Sequence, residues 1–201
     1  MDGVLINSQP AVDVAWRGWA AERGVDPADL EGHLHGRRTI EVISLFDPEA
    51  DPLEGAAALE GVIVAQATPA SAIAPMCELY SSLDPALRAV ATSALRTTAE
   101  SNFEILGVDP PRALVTSEDV DRGKPAPDAY LLAAARLGAN PTECVVIEDA
   151  PAGIAAGHAA GARVVAVTTT HAAGELAETE ADAVVTPEEL LDRERQAELL
   201  G

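Results

Sequence analysis

Positive charge is what this sequence has least of. Its 201 residues carry 13 lysines and arginines against 33 aspartates and glutamates, a formal net charge of −20. Nucleic-acid binding rests on Lys and Arg set against phosphates, so this balance argues against a nucleic-acid partner. It also constrains a site for any phosphate-bearing small molecule, which must gather the few cations locally or recruit a metal. Long apolar runs are missing too. None reaches the ~18 residues of a membrane span, so no membrane partner is expected. Met1-Asp2-Gly3-Val4-Leu5 sets no basic region before an apolar run, which argues against a secretory leader. Only two cysteines occur, Cys77 and Cys144, with neither metal-site nor redox spacing. Two ordinary free thiols fit a reducing compartment, and a cytoplasmic location is the expectation.

Apolar residues, by contrast, make up 48% of the chain, enough for a real core in one domain, or in a core domain with a small cap. Over 10–24, Val12, Ala15, Trp16, Trp19 and Ala20 recur at three- and four-residue spacing. That predicts a helix with both tryptophans on one face, packed between helices. Residues 26–80 stay helix-like, broken at Gly32, Gly36, Pro48, Pro52 and Pro69, with one short strand candidate at 61–65. From 88 onward the character changes. Strands are expected at 88–92, 113–115, 144–147, 163–167 and 183–185, separated by helices. Continuous apolar strands such as Val145-Val146-Ile147 suit a parallel sheet covered on both faces. In such sheets ligands sit at the carboxyl ends of the strands. The residues to read for chemistry are therefore Thr92-Ser93, Thr116-Ser117, Glu148-Asp149 and Thr168-Thr169-Thr170.

Each of these, alone, has a plain alternative. Two adjacent carboxylates after an apolar strand are costly unless they meet something positive, and hard oxygen ligands there suit Mg²⁺. Asp149 could equally cap the helix that starts at Pro151. Lys124, held between Gly123 and Pro125, is either a solvated charge or a fixed point charge for a phosphate or carboxylate. Thr92 and Ser93, with the N–H groups of the following turn, could hold phosphate oxygens or merely start a helix. Asp2-Gly3 by itself reads as a turn.

In combination they say more. The order Asp2-Gly3-Val4-Leu5, strand-Thr92-Ser93, Gly123-Lys124-Pro125-Ala126-Pro127-Asp128, then Val146-Ile147-Glu148-Asp149-Ala150-Pro151-Ala152-Gly153-Ile154 resembles the haloacid dehalogenase superfamily. The resemblance spans essentially the whole chain and is most specific over 122–132 and 144–161. Ser8-Gln9-Pro10-Ala11-Val12, Ala15-Trp16 and His35-Gly36-Arg37 are similar to the superfamily's hexitol and sugar phosphatases, whose helical cap is inserted after the first motif.

The resemblance implies an α/β, Rossmann-like three-layer parallel core at 1–10 and 81–201, with a helical cap at 11–80. It makes Asp2 the acid/base. Thr92, Ser93 and the Ala94 N–H would hold the phosphoryl group, and Lys124 would neutralise it. Asp149, supported by Glu148 and with the Asp2 carbonyl, would bind Mg²⁺ as cofactor. His35, Gly36, Arg37 and Arg38 would reach in from the cap to read the substrate. Asn7 stands where the family often has Asp, and Ala94 where it often has Gly. The family's nucleophilic Asp would fall one position before Met1, and its first central strand before that, so both are expected to be missing from the chain as given. The implied activity is Mg²⁺-dependent hydrolysis of a small sugar or polyol phosphate through an aspartyl-phosphate. A β-phosphoglucomutase-like mutase, and a sugar-phosphate-binding protein without catalysis, stand as alternatives. Dehalogenation fits less well, because the phosphatases' acid/base is present in Asp2.

Overall fold

The computed structural model describes residues 1–30, 33–34 and 36–200. Helices come first: α1 (Gln9–Arg23), α2 (Pro27–Leu30), α3 (Thr39–Phe46), α4 (Pro52–Gln66) and α5 (Ala74–Ser82). Strands and helices then alternate: β1 (Ala89–Ala91), α6 (Arg96–Leu106), β2 (Ala113–Val115), α7 (Asp128–Leu137), β3 (Val145–Glu148), α8 (Pro151–Ala159), β4 (Arg163–Val167), α9 (Ala173–Leu176), β5 (Ala183–Val185) and α10 (Arg193–Leu200).

Among the helices one expectation needs correcting. The run 61–65, a strand candidate by composition, lies inside α4. The Asp51 carboxylate accepts the N–H groups of Leu53 and Glu54, and Pro52 opens the first turn. A capped start of this kind offsets the modest helix penalty of β-branched residues. Packing against α1 and α3 then secures the helix. Trp16 and Trp19 do share a buried face of α1, their rings edge-to-face with centroids 5.3 Å apart. They belong to an apolar cluster with Leu30, Val42, Ile43, Leu59 and, from beyond β1, Leu95.

Every strand pairing is parallel, as the continuous apolar strands predict. Val90 lies opposite Leu114, Val146 opposite Val164, and Ala166 opposite Val184. The strands form two groups, β1–β2 and β3–β4–β5. Among the described residues, β1 and β3 each have a strand on one side only. Both line one cavity of about 190 Å³, through Ala89, Val90 and Ala91 on one wall and Val145, Val146 and Ile147 on the other. Met76 and Leu79 of α5, Ala133 and Ala134 of α7, and Met1, Val4 and Leu5 line it as well. The main core gathers Leu5, Ile6, Met76, Leu79, Phe103, Val165, Val167, Val185 and Leu190 around these strands. No helix among the described residues is long and apolar enough to cross a membrane.

Candidate active site

The parallel sheet brings its strand ends to one edge, and a cavity of about 130 Å³ opens there. Its lining includes Thr92, Ser93 and Ala94 after β1, Glu148 and Asp149 at the end of β3, Thr170 after β4, and Asp2, Gly3 and Lys124 from the loops. Gly36, Arg37 and Glu60 line it from the helical segment. Of the four strand ends singled out by sequence, three meet here. The fourth does not: the Thr116 N–H and hydroxyl turn to Asp119, and the Ser117 N–H bonds the Ala94 carbonyl.

Lys124 and Glu148 form a buried ion pair, their side chains 7% and 6% exposed. Tyr130 of α7 donates its hydroxyl to the same Glu148 Oε1 at 2.5 Å. The other oxygen accepts the N–H groups of Asp149 (3.0 Å) and Ala150 (3.3 Å). Burial alone would raise the Glu148 carboxyl, but the Lys124 ammonium overrides it and holds the group at about 2. Burial would likewise lower Lys124, and the Glu148 charge instead carries it above its ordinary value. A Cβ on Gly153 would stand 2.1 Å from the Glu148 carboxyl, so only glycine lets α8 pass this close.

Asp149 is different. Burial, and then the neighbouring Glu148 charge, push its carboxyl up to about 7. The Thr170 hydroxyl donates to it, and the Thr169 hydroxyl donates to the Gly3 carbonyl. Gly3 has φ +67°, and a Cβ there would lie 2.0 Å from Asp149 Oδ2. Gly3→Ala is therefore expected to cost about 2–4 kcal/mol, combining left-handed strain with overpacking. It should also displace Asp149. Denaturant unfolding beside a Mg²⁺ titration would check it, and an unchanged midpoint would show that the loop relaxes freely.

Asp2, Glu148 and Asp149 put three carboxylates around one lysine, and that excess of negative charge suits a divalent cation. Among the described residues no ready-made cage of three or more His, Cys, Asp or Glu side chains exists. Mg²⁺ needs none, because it is held by one or two carboxylates plus water and phosphate oxygens.

Contacts from the helical segment close over the loop that follows β1. Ser93 Oγ donates to the Gly36 carbonyl at 2.8 Å. Buried Glu60 accepts the Leu95 N–H at 2.9 Å and the Thr39 hydroxyl at 2.8 Å, and burial pushes its carboxyl up. The Ala94 N–H points to Thr92 Oγ1 at 3.2 Å. Exposed Arg37 lines the cavity. His35 lies outside the described residues. Arg38 corrects the sequence reading. It is 7% exposed and all its N–H groups are spent on Glu41 and on the Ser117, Val120 and Asp121 carbonyls, so none is left for a substrate.

Sequence reasoning missed Tyr130 and Glu60. Tyr130 carries no local signal. Glu60 carried a faint one, a lone carboxylate amid 55–65, where every other residue is Gly, Ala, Leu, Val or Ile.

Residues 1–161 match the family model of the haloacid dehalogenase-like hydrolases. The chain belongs to that family. Hexitol phosphatase A of Escherichia coli is 40% identical over 172 residues, covering 83% of this chain and 80% of that protein. Glycerol-1-phosphate phosphohydrolase 1 of Saccharomyces cerevisiae is 36% identical over 197 residues, covering 92% and 79%. Among solved structures, β-phosphoglucomutase from Clostridium difficile matches with a TM-score of 0.81 over 99% of this chain and 93% of that one, at 23% identity. That last likeness is one of fold. The α/β parallel core with its helical segment is thus the fold of a haloacid dehalogenase-like hydrolase, and the chain is a phosphoric monoester hydrolase of this family.

Proposed function

We propose that this site hydrolyses a small sugar or polyol phosphate with Mg²⁺, through an aspartyl-phosphate. The observation that carries the reading is the strand-end cavity in which buried Lys124, the carboxylates of Asp2, Glu148 and Asp149 and the Thr92 and Ser93 hydroxyls converge. The two relatives named for hexitol and glycerol-1-phosphate support the substrate class.

Phosphoryl transfer needs positioning and charge stabilisation. Lys124 supplies a fixed positive charge for the phosphoryl oxygens. Thr92, Ser93 and the Ala94 N–H orient those oxygens. Asp2 gives its proton to the leaving sugar oxygen and then takes one from water. Asp149 would hold Mg²⁺, with Glu148 behind it and the Asp2 carbonyl beside it, and the ion when bound neutralises charge on the phosphate. The segment 11–80 acts as the cap. It shuts water out, and Arg37 reads the far end of the substrate.

The carboxylate nucleophile of this route would stand one position before Met1. The Met1 nitrogen interacts electrostatically with Asp2, Lys124, Glu148 and Asp149. Met1 lines both the site and the apolar slot between β1 and β3. A residue joined to it would begin in the phosphate site, and the segment behind it would enter the slot.

The test is phosphate release from hexitol, hexose and glycerol phosphates by the protein carrying residues upstream of Met1. Release with Mg²⁺ and its loss on chelation are expected. Isomerised sugar phosphate without free phosphate would mean a mutase. Mg²⁺ and substrate binding with no turnover on any substrate would mean a binding protein.

A further inference from the structure

Arg38 opens α3 from the helical segment, yet its bonds run into the core. Its Nη1 group donates to the Ser117 carbonyl (3.2 Å) and the Val120 carbonyl (2.8 Å), and Nη2 donates to the Asp121 carbonyl (2.8 Å). Nε and Nη2 also grip Glu41 Oε1, at 2.9 and 2.5 Å. That same oxygen accepts the Gly123 N–H at 3.1 Å. One guanidinium–carboxylate unit thereby reaches Ser117, Val120, Asp121 and Gly123 of one loop, and the next residue is Lys124. The fit is close, since a Cβ on Gly123 would meet Arg38 Nε and both Glu41 oxygens at 2.8 Å.

We propose that Arg38 and Glu41 are positioning residues for Lys124: they lock the helical segment onto the 117–123 loop and so fix the ammonium where the phosphate must meet it. This rests on the reading of Lys124 as the phosphate's cation. The planar fork explains the choice of arginine, because a lysine has too few donors in too loose a geometry to hold three carbonyls and a carboxylate together. Phosphate binding and closure of the helical segment become coupled, because α3 adds these bonds to the loop that bears Lys124.

Calorimetric titration of the chain with inorganic phosphate, beside a separate Mg²⁺ titration, tests this in the wild type, Glu41→Gln, Arg38→Lys and the pair combined. Each is read well below its own melting temperature. Each single variant is expected to weaken phosphate about tenfold, the size of losing one charge-assisted bond. The pair should weaken it little further, because the two side chains act as one unit. Mg²⁺ affinity should stay put, whereas general loosening of the fold would lower both. Gly123→Ala perturbs the clamp from the core side and should give the same pattern. Wild-type phosphate affinity in the variants, or a parallel fall in Mg²⁺ affinity, overturns the proposal alone. A wild-type chain that binds Mg²⁺ but no phosphate overturns the phosphate-site reading, and this inference with it.

Discussion

In the protein carrying residues upstream of Met1, Lys124→Met is expected to lower phosphate release by about 10³ or more, and to reverse how the protein responds to acid. The reversal follows from the buried pair. Glu148 is held at about 2, below its ordinary 4.5. A carboxylate depressed on folding stabilises the fold above its ordinary value, and that stability is lost as pH falls through the folded one. That contribution disappears as pH falls from 4.5 toward the folded value. Without Lys124, Glu148 keeps the Tyr130 hydroxyl and two N–H donors but loses its counter-charge. Burial then prevails and its pKa moves above the ordinary value, so the charged form becomes a cost that grows as pH rises. Breaking such a pair costs about 3–5 kcal/mol near neutral pH. Urea unfolding at pH 7 and pH 4 should show the gap between variant and wild type narrowing toward acid. Parallel curves would mean that Lys124 does not set the Glu148 charge. Adding Glu148→Gln to Lys124→Met should recover much of the stability and none of the activity, which separates the lysine's structural work from its chemical work.

The residues that converge on the site were legible where one local rule sufficed. A parallel sheet puts all its strand carboxyl ends on one edge, so Thr92-Ser93, Glu148-Asp149 and Thr170 could be brought together without knowing any contact. Lys124 joined them through its place in a loop at that edge. What could not be read depended on distance along the chain. Arg38 finds its carbonyl partners 79 to 83 residues away. Nothing in Arg37-Arg38 says that one side chain faces the cavity and the other the 117–123 loop. Tyr130 reaches Glu148 only because α7 packs where it does. The run 61–65 failed for the opposite reason. Its composition is β-prone, but the Asp51 cap and the packing of α4 lie outside the window in which composition is judged.

The same sheet geometry leads to the second large effect. A chain extended before Met1 by an apolar segment that ends in aspartate is expected to resist urea better than the 201-residue chain, and to release phosphate faster. The walls of the slot are Val90 and Ala91 on one side and Val145, Val146 and Ile147 on the other, both from strands whose carboxyl ends open on the 130 Å³ cavity. A strand between them would pair with both free edges, satisfying backbone groups that otherwise depend on water. Each apolar side chain it buried would contribute about 1.5–3 kcal/mol before the cost of ordering it. Its last residue would meet Lys124 at the mouth of the 130 Å³ cavity. Asparagine in place of the terminal aspartate splits the two roles: the gain in stability should remain, and phosphate release should vanish. Equal urea midpoints for the long and short chains would show that the slot does not take a strand. Undiminished activity in the asparagine variant would place the nucleophile elsewhere, and Asp2, next along the chain and lining the same cavity, would be the first residue to replace.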